Sequence, residues 1–382
     1  PHDLTLSDLL AFLERLPEGV RSLDLGSVDY EMKPILIDRI AESDELTRLV
    51  HFDPGYMDKA GFDEFLKRWR APLPFFRLSD CSPKTLDLLR ENVALASGIR
   101  HLKIPQSTLD DDGLEQLVRC PNLAGVERLE LRMNEIGPRG VATLSRASFA
   151  ANLRRLSLYH NPLGDDGWRR LASQNLPRLR NLDLSWTNGG PTGATALAQS
   201  RGLPRLRKLN LSTNQVHDEG VRSLCSARFA RHLTSLCLAH VGHVPSAAET
   251  LALRAWPNLR ELVFSGFGVD PDGCVRLAGH TEFPKLENLD LSGADDGDDV
   301  AAAVATSKSL PRLRRLNLSH SQITDAGARS IADGPALAGL NELSLNNNPI
   351  GDEGFLALAT SPWLRRLVFA DFHCNGVIEG AV

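Results

Sequence analysis

Few residues in this chain of 382 have types and spacings that could do chemistry. His217, His240 and His243 stand close together, and His240-x-x-His243 offers two imidazole nitrogens to a metal. The spacing fixes no ligand geometry. One of the pair ends a predicted strand and the other falls in a turn, and Cys225 and Cys237 are not at a zinc-site separation. The run Asp295-Asp296-Gly297-Asp298-Asp299 is acidic enough for calcium but lacks the spaced ligands and closing Glu of an EF-hand loop, so a solvated helix start is the simpler account. Phosphate-loop, H-E-x-x-H, nucleophile-elbow and C-x-x-C patterns are all missing. The reading is of a chain that is not an enzyme, with no catalytic residue, no cofactor and no metal. Asn210-Leu211-Ser212 and Asn317-Leu318-Ser319 are formal glycosylation sequons, but both fall on predicted strands, where coincidence explains them.

Recognition is the chemistry that remains. Apolar pairs separated by one polar residue, such as Leu129/Leu131, Leu182/Leu184 and Leu209/Leu211, put two side chains on one face of a short strand and leave the alternating positions for the other. Equivalent residues of neighbouring strands then lie about 4.7–4.9 Å apart. Two columns follow the second apolar residue. One runs through Arg132, Tyr159, Ser185, Ser212 and Ala239, the other through Met133, His160, Trp186, Thr213 and His240. Most members are small or polar, but Met133, Tyr159, His160 and Trp186 fall in three consecutive strands and are expected to form one exposed patch. Arg132, Arg155 and Lys208 are its polar rim, and His240 lies further along the same column. Tyr and Trp bury much area at small entropic cost, which suits them to binding hot spots.

What positions these residues is an internal repeat. Its first apolar positions are Ile99, Val126, Leu153, Leu179, Leu206, Leu233, Leu259, Leu286, Leu313, Leu340 and Leu364, separated by 26 or 27 residues except for the last step. Fourteen positions into the repeat stands a small residue such as Gly140, Gly167, Gly193, Gly327 or Gly354. Four further on comes Leu144, Leu171, Leu197, Ile331 or Leu358, the inward face of a helix. Asp111, Asp165, Asp218, Asp298, Asp325 and Asp352 stand at offset twelve, where an aspartate caps a helix start; Pro138, Pro191, Pro245 and Pro271 replace it elsewhere. Arginines, among them Arg154, Arg178, Arg205, Arg207, Arg314 and Arg366, gather between helix and strand, so an acidic and a basic rim are expected, as helix dipoles favour.

These residues resemble the leucine-rich repeat family, in its ribonuclease-inhibitor-like class, where each strand is followed by a true helix. The resemblance implies an α/β right-handed solenoid of horseshoe form, with parallel strands on the concave face and helices on the convex one. It also implies that Asn134, Asn161, Asn214 and Asn348 bond the neighbouring turn, a ladder interrupted at Thr187, Val241, Phe267 and Ala294. Residues 99–363 are the regular repeats and 20–98 degenerate ones, with Ser82 capping a helix that has Pro83 first. Residues 1–19 read as an N-terminal capping helix, because Leu6, Leu9, Leu10, Leu13 and Leu16 share one face, and 364–382 as a terminal strand and tail. An uncovered edge near Val377, Ile378 and Val382 is an expected point of association.

By the same resemblance the function is non-enzymatic protein recognition on the concave face. The alternatives are a sensor or regulatory segment of a larger signalling protein and an activator of a partner enzyme. A formal charge of −5 argues against a dominant nucleic-acid or anionic-membrane role, and the partner expected is a protein. No apolar run is long enough to span a bilayer. Six scattered cysteines without disulfide-bonded end caps favour a reducing, cytoplasmic setting. The chain begins at Pro1 rather than Met, which leaves room for a leader or a further domain upstream.

Overall fold

The first leucine of each apolar pair is the middle of a three-residue strand, and the second lies one residue beyond it. This computed structural model describes residues 22–24, 51–53, 59–69, 71–78, 81–266, 270–280 and 283–376. The expected capping helix at 1–19, the turn residue Phe267 and the tail residues Val377, Ile378 and Val382 lie outside the described residues.

Two compact units divide the chain, Pro1–Leu163 with Ser173–Leu179, and Gly164–Ala172 with Arg180–Val382. In unit 1 the strands are β1 (Ser22–Asp24), β2 (His51–Asp53), β3 (Phe75–Arg77), β4 (His101–Lys103), β5 (Arg128–Glu130) and β6 (Arg155–Ser157). Each pairs in parallel with the next, forming an open sheet. Unit 2 repeats the arrangement with β7 (Asn181–Asp183), β8 (Lys208–Asn210), β9 (Ser235–Cys237), β10 (Glu261–Val263), β11 (Asn288–Asp290), β12 (Arg315–Asn317), β13 (Glu342–Ser344) and β14 (Phe369–Asp371). Parallel neighbours need a crossover, and a helix supplies it in most repeats. The fold is therefore an α/β leucine-rich repeat solenoid.

The repeat leucines form the core. Leu129, Leu131, Leu156, Leu158, Leu209 and Leu211 are buried, as is every repeat start from Ile99 to Leu364. No single repeat encloses its own apolar face, so each contributes only when stacked on neighbours, and a buried Leu then stabilises by about 1.5–3 kcal/mol. In the degenerate stretch aromatic rings replace leucines. Phe62, Phe65, Trp69 and Phe76 are buried, with Phe65 and Trp69 ring centroids 5.3 Å apart. Ser82 caps the helix Pro83–Glu91, accepting the Thr85 N–H.

The asparagines do bond neighbouring turns. Asn161 Oδ1 accepts the Ile136 N–H at 3.0 Å, and its Nδ2 donates to the Leu131 and Leu158 carbonyls. Asn214 accepts from Thr187 and Gly189 and donates to Leu184 and Leu211. Asn375, one period beyond Asn348, continues the pattern by donating to Leu345 and Phe372. Thr187 keeps part of the polar pattern, since its Oγ1 donates to the Leu184 carbonyl at 2.6 Å and accepts the Trp168 Nε1–H at 2.9 Å. Val241 and Ala294 are buried and apolar there.

The offset-twelve aspartates act differently from the expectation, because they cap the helix of the following repeat. Asp165 Oδ1 accepts the Gly190 and Gly193 N–H groups at 2.7 and 2.8 Å, and its Oδ2 accepts the Thr192 hydroxyl. Gly190 is the N-cap of the helix Pro191–Gln199 and has no side chain with which to cap it. Asp111 serves Gly137, Asp218 serves Ser246, Asp298 serves Thr324 and Gly327, and Asp325 serves Gly351 and Gly354. This explains the small residue at offset fourteen: a Cβ on Gly193 or Gly354 would lie 2.7 or 2.6 Å from the capping carboxylate. The acidic rim is thus bound to backbone donors. On the basic side, Arg178 donates to Asn152, Arg207 to the His232 carbonyl and Arg314 to that of Gly339.

Candidate recognition surface

Because the middle residue of each strand points into the core, the first and third belong to the open sheet face, joined by the residue that follows the second leucine. The first column, with Arg132 and Tyr159, continues this extended alternation. The second column does not. Met133, His160, Trp186, Thr213, His240, His320 and Asn347 all have φ between +52° and +57°, so these residues are in left-handed turns after the strands. Such a backbone is uncommon for non-glycine residues, but its recurrence makes it a property of the scaffold rather than of one site. It persists because the backbone ladder continues through the turn: the Met133 N–H donates to the Tyr159 carbonyl at 2.8 Å and that of Trp186 to Ser212 at 3.0 Å.

Unit 1 brings together Arg132, Met133, Tyr159 and His160. The Arg132 guanidinium lies over the Tyr159 ring, 5.1 Å from its centroid, and the Tyr159 and His160 rings are 5.9 Å apart. Met133 is 39% exposed, and Arg132, Arg155 and His160 are exposed while Tyr159 is half-buried. Sequence reasoning missed what lies beside them. His101 and Arg128 are in register with Arg155, and Lys103 and Glu130 with Ser157. His101 Nε2 bonds Glu130 Oε1 at 2.8 Å, and the Phe75 ring meets His101 edge-on. The His101 hydrogen bond holds the Glu130 carboxyl below its ordinary value despite burial, and the charges of His101, Lys103 and Arg132 add to the effect. The strands β4 to β6 with their first-column residues therefore carry Lys103, Arg128, Arg132 and Arg155 against one carboxylate. Reading strand positions separately from the total charge would have found this.

Unit 2 holds Trp186, Lys208 and His240. Trp186 is 51% exposed, and Lys208 and His240 are exposed. Its strand face is a hydroxyl and amide network with more acids than bases. Ser185 and Ser212 donate to Asp183 and Asn210, Asn317 donates to Asp290 at 2.9 Å, and Arg315 pairs with Glu342 at 3.0 Å. The sequon residue Asn210 accepts the Ser212 N–H and hydroxyl, and Asn317 bonds Ser319 in the same way, so both side chains are engaged within the sheet face. The expected patch thus has members in both units: Met133, Tyr159 and His160 belong to unit 1 and Trp186 to unit 2.

Of the histidines singled out for metal, His217 serves a turn. His217 Nδ1 accepts the His243 N–H at 3.1 Å, and among the described residues no group of three His, Cys, Asp or Glu is placed to hold a metal ion. The acidic run opens the helix Gly297–Thr306, with Asp296 at its N-cap. All six cysteines are free, and burial pushes the Cys225 and Cys274 thiols up to about 12. No helix among the described residues is long and apolar enough to cross a membrane.

The comparisons with known proteins agree with this architecture. A family model described as Leucine Rich repeat matches residues 126–145, 203–225, 310–332 and 340–359. A search of curated proteins finds no match. Among solved structures, an internalin from Listeria monocytogenes is 16% identical over 96% of this chain and 94% of its own, with a TM-score of 0.52. Rad7, solved with Elc1 in yeast, is 14% identical over 89% and 92%, with a TM-score of 0.52. A structure of a TLR13–ssRNA13 complex gives 20% identity over 87% of this chain and 46% of that one, with a TM-score of 0.51. At such identities the likeness concerns the fold, and with the matched repeats and the stacked strands it identifies that fold as the leucine-rich repeat one.

Proposed function

We propose that the chain is a non-enzymatic protein-recognition module that takes a partner on its open strand faces. The contact residues are Arg132, Met133, Arg155, Tyr159 and His160 in unit 1, and Trp186, Lys208 and His240 in unit 2. The observation that carries this reading is the exposure of Trp186 and Met133 on left-handed turns beyond the strands, in a chain where Trp69, Trp168 and Trp256 are buried and Trp363, the other exposed tryptophan, follows a helix rather than a strand. A large aromatic side chain left in water and flanked by cations is the usual anatomy of a hot spot and its rim. Rad7 was solved in complex with Elc1, which fits this use of the fold. Repeats of 26 or 27 residues with a helix after most strands support the ribonuclease-inhibitor-like class. Six free cysteines, four of them buried, support a reducing compartment such as the cytoplasm.

The test is affinity capture on the immobilised full chain, followed by titration of the captured protein. Tyr159→Ala and Trp186→Ala are expected to weaken binding at least about tenfold while leaving the urea midpoint unchanged. Undiminished affinity in both variants overturns the reading.

A further inference from the structure

We infer that the strand face of unit 1 recognises an acidic, extended peptide segment, through Lys103, Arg128, Arg132 and Arg155. This deepens the proposed protein-recognition reading and rests on it. Four cations stand on three adjacent strands and the extended residue beyond β5, with Glu130 as the one carboxylate in those rows. Glu130, hydrogen-bonded to His101 at 2.8 Å, offsets only one of the four positive charges, so the row keeps a cationic excess. Among the described residues, no ion pair within 4 Å is recorded for Lys103, Arg128 or Arg132. Four like charges brought together by the sheet repel one another, and an anionic partner relieves that repulsion.

Charge complementarity alone would also admit a nucleic acid, and the disposition of the aromatic rings favours the peptide. Single-stranded nucleic acid needs aromatic faces on which bases stack, whereas here the Tyr159 face is covered by Arg132 and the Phe75 ring meets His101 edge-on. Guanidinium forks match separate carboxylates with bidentate hydrogen bonds, and strands about 4.8 Å apart present those forks at intervals that an extended peptide can meet. Met133, exposed at the end of β5, supplies an apolar contact between the charged ones.

The experiment uses the full chain and three fluorescent probes: a synthetic peptide alternating Glu with Leu, its Lys counterpart, and a single-stranded oligonucleotide of the same formal charge as the acidic peptide. The acidic peptide is expected to bind, the Lys peptide not to bind, and the affinity to fall at least about tenfold on raising salt to roughly 0.5 M. The double variant Arg128→Glu/Arg132→Glu should abolish binding, and the neutral Arg128→Gln/Arg132→Gln should weaken it with an unchanged circular dichroism spectrum. Arg365→Glu, an exposed arginine on unit 2, should have no effect. Equal binding of both peptides, indifference to the Gln variant, or tighter binding of the oligonucleotide each overturns the assignment. If the acidic peptide fails while a captured protein still responds to Tyr159→Ala, the acidic assignment falls and the recognition reading stands.

Discussion

The strands β4 to β6 of unit 1 set Lys103, Arg128, Arg132 and Arg155 against Glu130, while the strand face of unit 2 sets Asp183, Glu261, Asp290, Glu342 and Asp371 against Lys208 and Arg315. Both faces stand on the same three-residue strands, the same buried leucines and the same left-handed turns. The repeat therefore constrains one side chain in two and leaves the alternate ones free, so surfaces of opposite character are built on one scaffold. A net charge of −5 averages over them and conceals the difference.

If the scaffold is common to both units, its residues should be equally costly to remove from either. Leu156→Ala in unit 1 and Leu209→Ala in unit 2, both in fully packed positions, are each expected to lose about 2–5 kcal/mol by urea denaturation. A loss confined to one unit would break the equivalence. Next in size are the ladder amides. Asn161→Ala strands the Ile136 N–H, and Asn214→Ala strands those of Thr187 and Gly189, at roughly 1–3 kcal/mol for each buried group left unpaired. Equal urea midpoints for wild type and Asn214→Ala would rule out a structural part for the ladder.

Asp165→Ala removes a cap from the next helix and should cost about 0.5–2 kcal/mol at neutral pH. Burial opposes ionisation of Asp165, but hydrogen bonds from Thr192, Gly193 and Gly190 outweigh it and hold the carboxyl below its ordinary value. Since the folded value is the lower one, this stabilisation is complete above the unfolded value and disappears as pH falls through the folded one. The gap between wild type and Asp165→Ala should close in acid, and a gap of constant size from neutral pH to about pH 2 would exclude the ionised cap. The smallest effects belong to the faces themselves. Arg315→Ala breaks an exposed pair with Glu342, and it and Arg128→Gln should each change stability by less than about 1 kcal/mol, as differential scanning calorimetry would register. A larger loss would mean that the faces, too, are part of the scaffold.

Much of the fold was legible because its signals are periodic. The starts from Ile99 to Leu364 and the helix residues from Leu117 to Leu358 are all buried where the pattern put them. The degenerate stretch was harder to read, since Phe62, Phe65, Trp69 and Phe76 fill the core there without the leucine signature. Asn375 was overlooked although it follows Asn348 by one period. In the candidate surface, the residues after the second leucine were found as exposed columns, but the second column was assigned to strand alternation, which a left-handed turn replaces. Lys103, Arg128 and His101 went unnoticed because they are far apart in sequence and only the parallel register brings them together.

The sequence by itself determined the repeat and the buried leucines, because both follow from spacing within one period and from the cost of leaving apolar surface in water. Tertiary structure decided what crosses periods. Asp165 caps a helix whose N-cap lies 25 residues away, and the cations of unit 1 gather across adjacent strands. A carboxylate binds whichever unpaired N–H groups the stacking places beside it, and charges sum over distance rather than over sequence.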